Sequence, residues 1–346
     1  MSVFVFFLLI KNADDVRQNI LNRLSLCVNT LLPSVFPMLV ASSFLSQFGL
    51  PKPLRSLWGA TAGKLCGIPK NGAAAAVFGM VAGYPAGVKS TAILFKQKQI
   101  SATEAIRLCV SCVHPGISFA VLAVGRGFFR SEAMGWIFYA SVLLADLIIA
   151  KLSSILLSAE PAENSSGNKT KETSLSQALI SAVDTGIGSM TEITAWVLLF
   201  SVPETFLKMR YPFLYPAFSP VAEVTAAALA AAEKGTPALC AFSLGFGGFC
   251  VHLQLSKDLR AMGVKPAVFL FIRACAGGLS ALFTFIGLRL FPQILPTVSR
   301  RQTEITFFRT DLVGFLSLCA VCLLFIAETA DLDVRPIFRY KKQRKA

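Results

Sequence analysis

Long apolar stretches alternate with short polar ones along this chain. A helix that spans a bilayer needs ~20 mostly apolar residues, and several stretches reach that length. The predicted spanning segments are residues 24–48, 136–157, 191–209, 266–291 and 311–328. Pro33 and Pro37 predict a kink or break in the first helix, and Pro203 predicts an interruption in the third, because proline removes a backbone donor.

Shorter apolar segments lie between these spans. They cover residues 72–83 and 86–97, and later residues 236–248 and 249–262, and each pair is joined at a glycine cluster. The run "SATE" at residues 101–104 matches a capping box and predicts a helix start. The run "HPG" at residues 114–116 is expected to interrupt that helix. The pattern predicts an all-α polytopic membrane protein with broken helices.

One clearly hydrophilic segment, residues 158–174, divides the chain. We predict a first membrane half at 1–157, a polar linker at 158–174, a second half at 175–292, and a final membrane helix with a basic tail at 293–346. Aligning Gly83 with Gly247 gives the two halves a similar plan. Short segments interrupted by glycine or proline in corresponding positions of two halves indicate a transporter binding site.

Composition supports a membrane protein: 54% of the 346 residues are hydrophobic and 15% are charged, whereas soluble domains carry about 25% charged residues. The net charge of +14 sits in short basic runs between apolar segments. This distribution indicates positive-inside topology in a cell membrane rather than nucleic-acid binding. The basic run at 339–346 places the C-terminus in the cytoplasm, against anionic lipid headgroups.

No catalytic motif stands out in the sequence, and its metal-binding patterns are weak. Cys109 and Cys112, near His114, form a C-x-x-C pair, as do Cys319 and Cys322, but a metal would need further ligands. The nine cysteines are scattered through apolar segments, and the chain has two histidines. There is no P-loop, Rossmann fingerprint, G-x-S-x-G or H-E-x-x-H motif. We therefore expect neither an enzyme, nor a cofactor, nor a metal site.

The stretch "GMVAGYPAGVKS", residues 79–90, has two interpretations. Its glycines at 79, 83 and 87 are spaced as in a helix-packing face. That alternative leaves Tyr84, Pro85 and Lys89 unexplained. A helix break here would instead present free N–H groups and a positive dipole end to an anion, with Lys89 adding a full charge.

Several polar side chains lie in apolar surroundings, where an ionisable group is costly and indicates function. The candidates are His114, Glu223, Thr225, His252 and Gln254. Glu223 is the strongest, because alanine and valine surround it. For Glu192 the alternative is an interfacial residue without a functional role, and for His252 the alternative is a packed histidine. Asp146 is expected to pair with a base on a neighbouring helix.

Four stretches resemble the YlbJ-type sporulation integral membrane proteins, which are grouped with the nucleoside-recognition Gate domain proteins. They are "NTLLPSVFPMLVASSFLSQFG" (29–49), "GMVAGYPAGVKSTAIL" (79–94), "LAVGRGFF" (122–129) and "LGFGGFCVHLQ" (244–254). The resemblance implies two Gate-like halves, re-entrant hairpins near Gly83 and Gly247, and transport of dipicolinic acid, an aromatic dicarboxylate.

The chain departs from this family at two motifs. It has His114-Pro115-Gly116-Ile117 where the family reads like N-A-G-P. It has Glu223-Val224-Thr225-Ala226-Ala227 where the family often has E-[IV]-T-x-G. Both departures fall at the expected site, so the substrate stays open.

We therefore predict a transporter of a small anionic metabolite, with dipicolinic acid as the candidate and the lipid bilayer as its surroundings. A non-transporting membrane scaffold or signalling protein in spore maturation, and a nucleoside-type transporter, are the alternatives. The oligomeric state stays open. One side of the site would comprise Gly83, Tyr84, Pro85, Gly87, Lys89 and His114. The other would comprise Glu223, Thr225, Gly247, Gly248, His252 and Gln254.

Overall fold

A computed structural model describes residues 10–48, 56, 63, 66–68, 70–156 and 175–294. Regular structure within these residues is entirely helical, which confirms the all-α class. The predicted linker at 158–174, the predicted final span at 311–328 and the basic tail at 339–346 lie outside the described residues.

The first part of the chain builds α1 (Ala13–Leu26), a π-helical turn (Cys27–Leu31), α2 (Leu32–Phe48), α3 (Ala73–Ala82), α4 (Tyr84–Lys96), α5 (Ala102–Cys112), a second π-helix (Ser118–Phe128) and α6 (Glu132–Leu156). The second part builds α7 (Leu175–Arg210), α8 (Tyr215–Ala222), α9 (Val224–Glu233), α10 (Pro237–Phe246), α11 (Gly248–Ala261) and α12 (Pro266–Leu290).

Five helical stretches in the described ranges are long and apolar enough to cross a membrane: Ala13–Leu45, Glu132–Leu156, Leu175–Arg210, Pro237–Ala261 and Pro266–Leu290. This confirms the polytopic architecture. The predicted capping box is also confirmed. Ser101 Oγ accepts from the Glu104 amide at 3.2 Å, and Glu104 Oε2 accepts from the Ser101 amide at 2.8 Å.

The expected interruption at Pro203 was wrong, and the first apolar helix is not broken at Pro33 or Pro37. The first apolar helix begins at Ala13 and passes through Pro37, and its irregular turn is the π-helix at Cys27–Leu31, ahead of both prolines. Helix α7 continues through Pro203. Two carbonyls near Pro203 accept side-chain hydrogen bonds. Ser201 Oγ donates to Leu198 O at 2.6 Å, and Asn19 Nδ2 donates to Ser201 O at 2.8 Å. Proline is tolerated within membrane helices where side chains, waters or neighbouring helices satisfy the freed backbone groups.

The element order repeats on either side of the undescribed segment 157–174. Each part has a long helix, two broken helices and a second long helix. The breaks fall at Gly83 and at residues 113–117 in the first part, and at Glu223 and Gly247 in the second. In this element order the break at Gly83 corresponds to the break at Glu223, rather than to Gly247 as expected. The Glu223 break escapes sequence inspection because no glycine forms it: Glu223 is extended, with φ −143° and ψ 126°.

Helices α3 and α4 form a tight hairpin with its tip at Gly83. Gly79 and Gly87 stand four residues on either side of the tip, yet a Cβ built on Gly79 would lie 2.9 Å from Gly87 Cα. Residues so far apart in a straight helix would be separated by ~12 Å. Gly83 has φ +97°, a conformation that favours glycine. Gly83 therefore makes the predicted break, and Gly79 and Gly87 make the predicted close packing.

The close packing includes α5. A Cβ on Gly87 would lie 2.5 Å from Cys112 O, and one on Gly79 would lie 2.9 Å from the same oxygen. Cys112 is fully buried at this contact. The cysteine therefore acts as a small packing residue.

Two buried ion pairs connect the long helices of the two parts. Arg273 of α12 lies 2.6 Å from Asp146 of α6, with side chains 0% and 1% exposed, and Arg273 also donates to Gly245 O. This confirms the expected base opposite Asp146. Arg23 of α1 binds both oxygens of Glu204 on α7, at 2.6 and 2.8 Å. In each pair one charge comes from each part, so the pairs set how the two parts sit together.

We expect Gly87→Ala to destabilise the protein by about 1–3 kcal/mol, because the added methyl would overlap Cys112 O in a packed interior. Gly278→Ala is the matched control, since a Cβ there meets nothing within 4 Å. Thermal unfolding in detergent should show a lower Tm for the first variant and a neutral or higher Tm for the second. Equal Tm values would contradict the close packing of the hairpin.

Asp146→Asn and Arg273→Gln should each cost about 3–5 kcal/mol, because each leaves one buried charge without its counter-charge. The double variant should cost less than the sum of the two, since it removes both charges. A double-mutant cycle on unfolding in detergent measures the coupling. Additive losses in the free energy of unfolding would show that the two side chains are not coupled.

Candidate functional site

The four helix breaks meet in two adjoining contacts. The Gly83 tip lies against the 113–117 break, because a Cβ on Gly83 would lie 2.7 Å from Gly116 N and 3.6 Å from His114 O. The Gly247–Gly248 turn lies against the Glu223 break, since a Cβ on Gly248 would lie 3.2 Å from Ala222 O and from Val224 N. In each of the two contacts, one helix break therefore lies against another.

Tyr84 joins the two contacts. It follows the Gly83 tip, and its Cε1 lies 3.5 Å from the Cβ position of Gly247. Its hydroxyl donates to Leu244 O at 2.5 Å. Leu244 is one residue before Gly245, whose carbonyl receives Arg273. The Gly83 and Gly247 regions therefore meet through Tyr84.

A cavity lies where these breaks meet. Its walls combine the hairpin tip, the 113–117 break, the start of α9 and α11 with the long helices α2 and α7, and they are mostly apolar. The polar side chains in the lining are Tyr84, Glu223, Thr225 and Gln254. The space that the centre of a water molecule can reach is about 60 Å³. This is room for a few water molecules, so the cavity is compact in this conformation.

Glu223 is fixed by the helix that it begins. Its Oε1 accepts from the Thr225 amide at 2.8 Å and its Oε2 from the Ala226 amide at 2.7 Å, so the carboxylate caps α9. A carboxylate at a helix N-terminus is stabilised by the free N–H groups and the helix dipole. Glu223 is 3% exposed and lines the cavity. The anion position of this half-helix is therefore occupied by the protein's own side chain.

Gln254 lines the cavity and carries a buried donor. It lies on α11, and its Nε2 is buried without a hydrogen bond to any residue that the structure describes. An unsatisfied buried donor is costly, so its hydrogen-bonding capacity is available to a ligand or a water molecule. Together with Glu223, Thr225 and Tyr84, this amide gives the cavity both donors and acceptors.

Six of the twelve predicted site residues line the cavity: Gly83, Tyr84, Pro85, Glu223, Thr225 and Gln254. The other six do not. Gly87 packs on Cys112, and Gly247 and Gly248 form the turn behind the lining. The His252 ring packs at a tilt against Phe246 and edge-on against Phe269, with ring centroids 4.8 and 5.5 Å apart.

Lys89 and His114 also lie beside the cavity rather than in it. The Lys89 ammonium pairs with Glu192 at 2.6 Å, and both side chains are about one-third exposed, at 37% and 33%. His114 is fully buried, its Nδ1 is 2.6 Å from Pro115 O, and its ring meets Tyr139 edge-on at 5.5 Å. Neither side chain adds charge to the lining in this conformation.

Sequence inspection missed the apolar part of the lining. Leu31, Val35, Met190, Ile193 and Val197 contribute to it from the long helices. Nothing distinguishes them in sequence from lipid-facing residues of the same helices. Arg273 was also missed, although an arginine within the apolar run "PAVFLFIRACAGG" was a usable signal.

Comparison with known proteins identifies one distant similarity. No family profile matches the chain, and no solved structure matches it. The chain is 23% identical over 307 residues to the protein named "Sporulation integral membrane protein YlbJ" from Bacillus subtilis (strain 168), across 76% of this chain and 75% of that protein. The resemblance to YlbJ-type proteins is thereby confirmed as a distant similarity over most of the chain, and with the five apolar helices it identifies a multi-pass membrane protein.

Proposed function

We propose that the protein is a transporter of a small polar metabolite across the cell membrane. The observation that carries the proposal is the meeting of four helix breaks around one cavity that holds Glu223 and Gln254. Within a bilayer, non-helical backbone is tolerated only where protein buries it or where it lines a cavity. Broken helices at corresponding positions of two repeats are typical of transporter binding sites.

The lining refines the substrate class. Among the described lining residues there is one carboxylate, Glu223, and no lysine or arginine. Lys89, the cation expected there, is paired with Glu192 instead. A carboxylate-bearing metabolite would therefore be repelled unless a proton or a cation travels with it and neutralises Glu223. We propose such coupled transport, with dipicolinic acid as the first candidate because of the resemblance to sporulation membrane proteins.

The compact cavity supports an alternating-access scheme. A space of about 60 Å³ is too small for an aromatic dicarboxylate with its hydration shell. Binding would require the α3–α4 hairpin and the α8–α9 break to move apart. Since the Tyr84 hydroxyl bridges from the hairpin to α10, that hydrogen bond would be among those exchanged.

Glu223→Gln should abolish cation-coupled uptake, because glutamine cannot take up a proton or balance a cation. Lys89→Ala is the matched control: its ion pair is partly exposed and worth about 0–1 kcal/mol, so uptake should stay near the native rate. The measurement is uptake of labelled dipicolinate and nucleosides into proteoliposomes under a proton or sodium gradient. Uptake by Glu223→Gln equal to native would overturn the coupling role, and a folded native protein that moves none of these solutes would favour the scaffold alternative.

Gln254→Ala should weaken substrate binding about tenfold or more, since a hydrogen bond to a charged group contributes about 1.5–3 kcal/mol. The effect should fall on KM, with Tm unchanged, because the Nε2 group bonds no described residue. Gln99→Ala, in the turn before α5, serves as the control for a surface amide. An unchanged KM would remove Gln254 from the site.

A further inference from the structure

A second, larger cavity lies beside the first. It is bounded by α1 and the first π-helical turn, the end of α7, the start of α8, and α9. The volume that the centres of water molecules can occupy within it is about 430 Å³. We call this cavity the vestibule. Its lining includes the amides of Asn19, Asn22 and Asn29 and the ammonium of Lys208. The vestibule has room for many water molecules, and its polar side chains can form hydrogen bonds with them.

The charges around the vestibule balance. Arg23 and Lys208 both contact Glu204, at 2.6 and 2.8 Å, and Glu233 lines the wall. Two positive and two negative side chains leave no net charge. Lys208 is 43% exposed, and its ammonium also lies 4.6 Å from the centroid of the Tyr215 ring. A balanced, hydrogen-bonding wall suits water and small hydrophilic solutes of either sign, and leaves selection to the cavity beyond it.

The partition between the two cavities includes two elements on which consecutive residues line different cavities. On the first helix Thr30 lines the vestibule and Leu31 lines the central cavity. On α9, Ala226 lines the vestibule and Thr225 lines the central cavity. The Glu223 carboxylate binds the amides of both Thr225 and Ala226, so it lies within this partition.

The first helix forms the other side of the partition with its π-helical turn. This turn, Cys27–Leu31, contains Asn29 and Thr30 of the vestibule and ends on Leu31 of the central cavity. Cys27 and Leu31 are each 2% exposed, so the turn is closed by buried side chains. Single π-helical turns within α-helices often mark functional sites, because the extra residue per turn can be absorbed by a shift in hydrogen-bond register.

We propose that the vestibule is the aqueous entrance to the central cavity, and that the π-helical turn and the Glu223 cap form the gate between them. Water and small hydrophilic solutes fill the vestibule while the gate is closed. The use of this entrance by a transported substrate rests on the proposed function, whereas its filling by water does not.

Accessibility of introduced cysteines tests the entrance. In the full chain in native membranes, Asn22→Cys and Leu229→Cys should react with a charged, membrane-impermeant methanethiosulfonate reagent at least about tenfold faster than Leu24→Cys, because the thiolate that reacts forms only in contact with water. Leu24 is on the same helix and 39% exposed, but does not line the vestibule. The native chain, labelled in parallel, gives the background. Labelling of Asn22→Cys as slow as that of Leu24→Cys would overturn the entrance.

A second pair of variants tests the gate. Gln254→Cys, in the central cavity, should label slowly in an otherwise native chain and about tenfold faster when Leu31→Ala thins the partition. Leu39→Ala removes the same side chain from a buried position, 5% exposed, farther along the same helix, and should not accelerate labelling. Equal acceleration by both would overturn the gate. Labelling of the vestibule without uptake of any solute would leave the entrance standing and count against the transporter instead.

Discussion

Every backbone polar group inside a bilayer must be satisfied by the protein, and the rest of this fold depends on how four helix breaks meet that constraint. The Gly83 tip lies against Gly116, and Gly248 lies against the ends of α8 and α9. Glu223 accepts the first free amides of α9, and the Tyr84 hydroxyl bonds a carbonyl near the end of α10. Glu223 and Tyr84 thus bond backbone groups at or near these breaks, and the central cavity lies where the breaks meet.

The long helices hold the breaks in place through reciprocal buried charges. Asp146 and Arg23 come from the first part of the chain, and Arg273 and Glu204 from the second. Arg273 also bonds Gly245 O, two residues before the Gly247 turn, so the ion pair and the break are one hydrogen-bonded unit. A buried ion pair contributes modestly to stability compared with apolar packing, but it penalises any other register of the two helices. These pairs therefore favour one arrangement of the two parts.

Much of the helical plan could be predicted, because its signals are local. The Ser101 capping box, the "HPG" interruption and the two half-length helices around Gly83 depend on residues a few positions apart, and all are found. The errors come from longer range. Helix α7 passes Pro203 unbroken, in a segment where Asn19, from another helix, bonds the Ser201 carbonyl. The Glu223 break is formed by a carboxylate capping its own helix, and it pairs with Gly248 only in the folded chain.

The sequence by itself determined that this is an apolar, all-helical membrane protein with breaks at glycines, a capping box and costly polar groups within its helices. These properties follow from hydrophobicity, from backbone freedom at glycine and from the cost of burying charge, which act residue by residue. Only the tertiary structure decided which groups share a site. It placed Glu223 and Gln254 at one cavity and paired Lys89 with Glu192 outside it. The physical reason is that the partner of a side chain depends on how helices distant in sequence pack together. Residue type alone does not specify which residues that packing brings into contact.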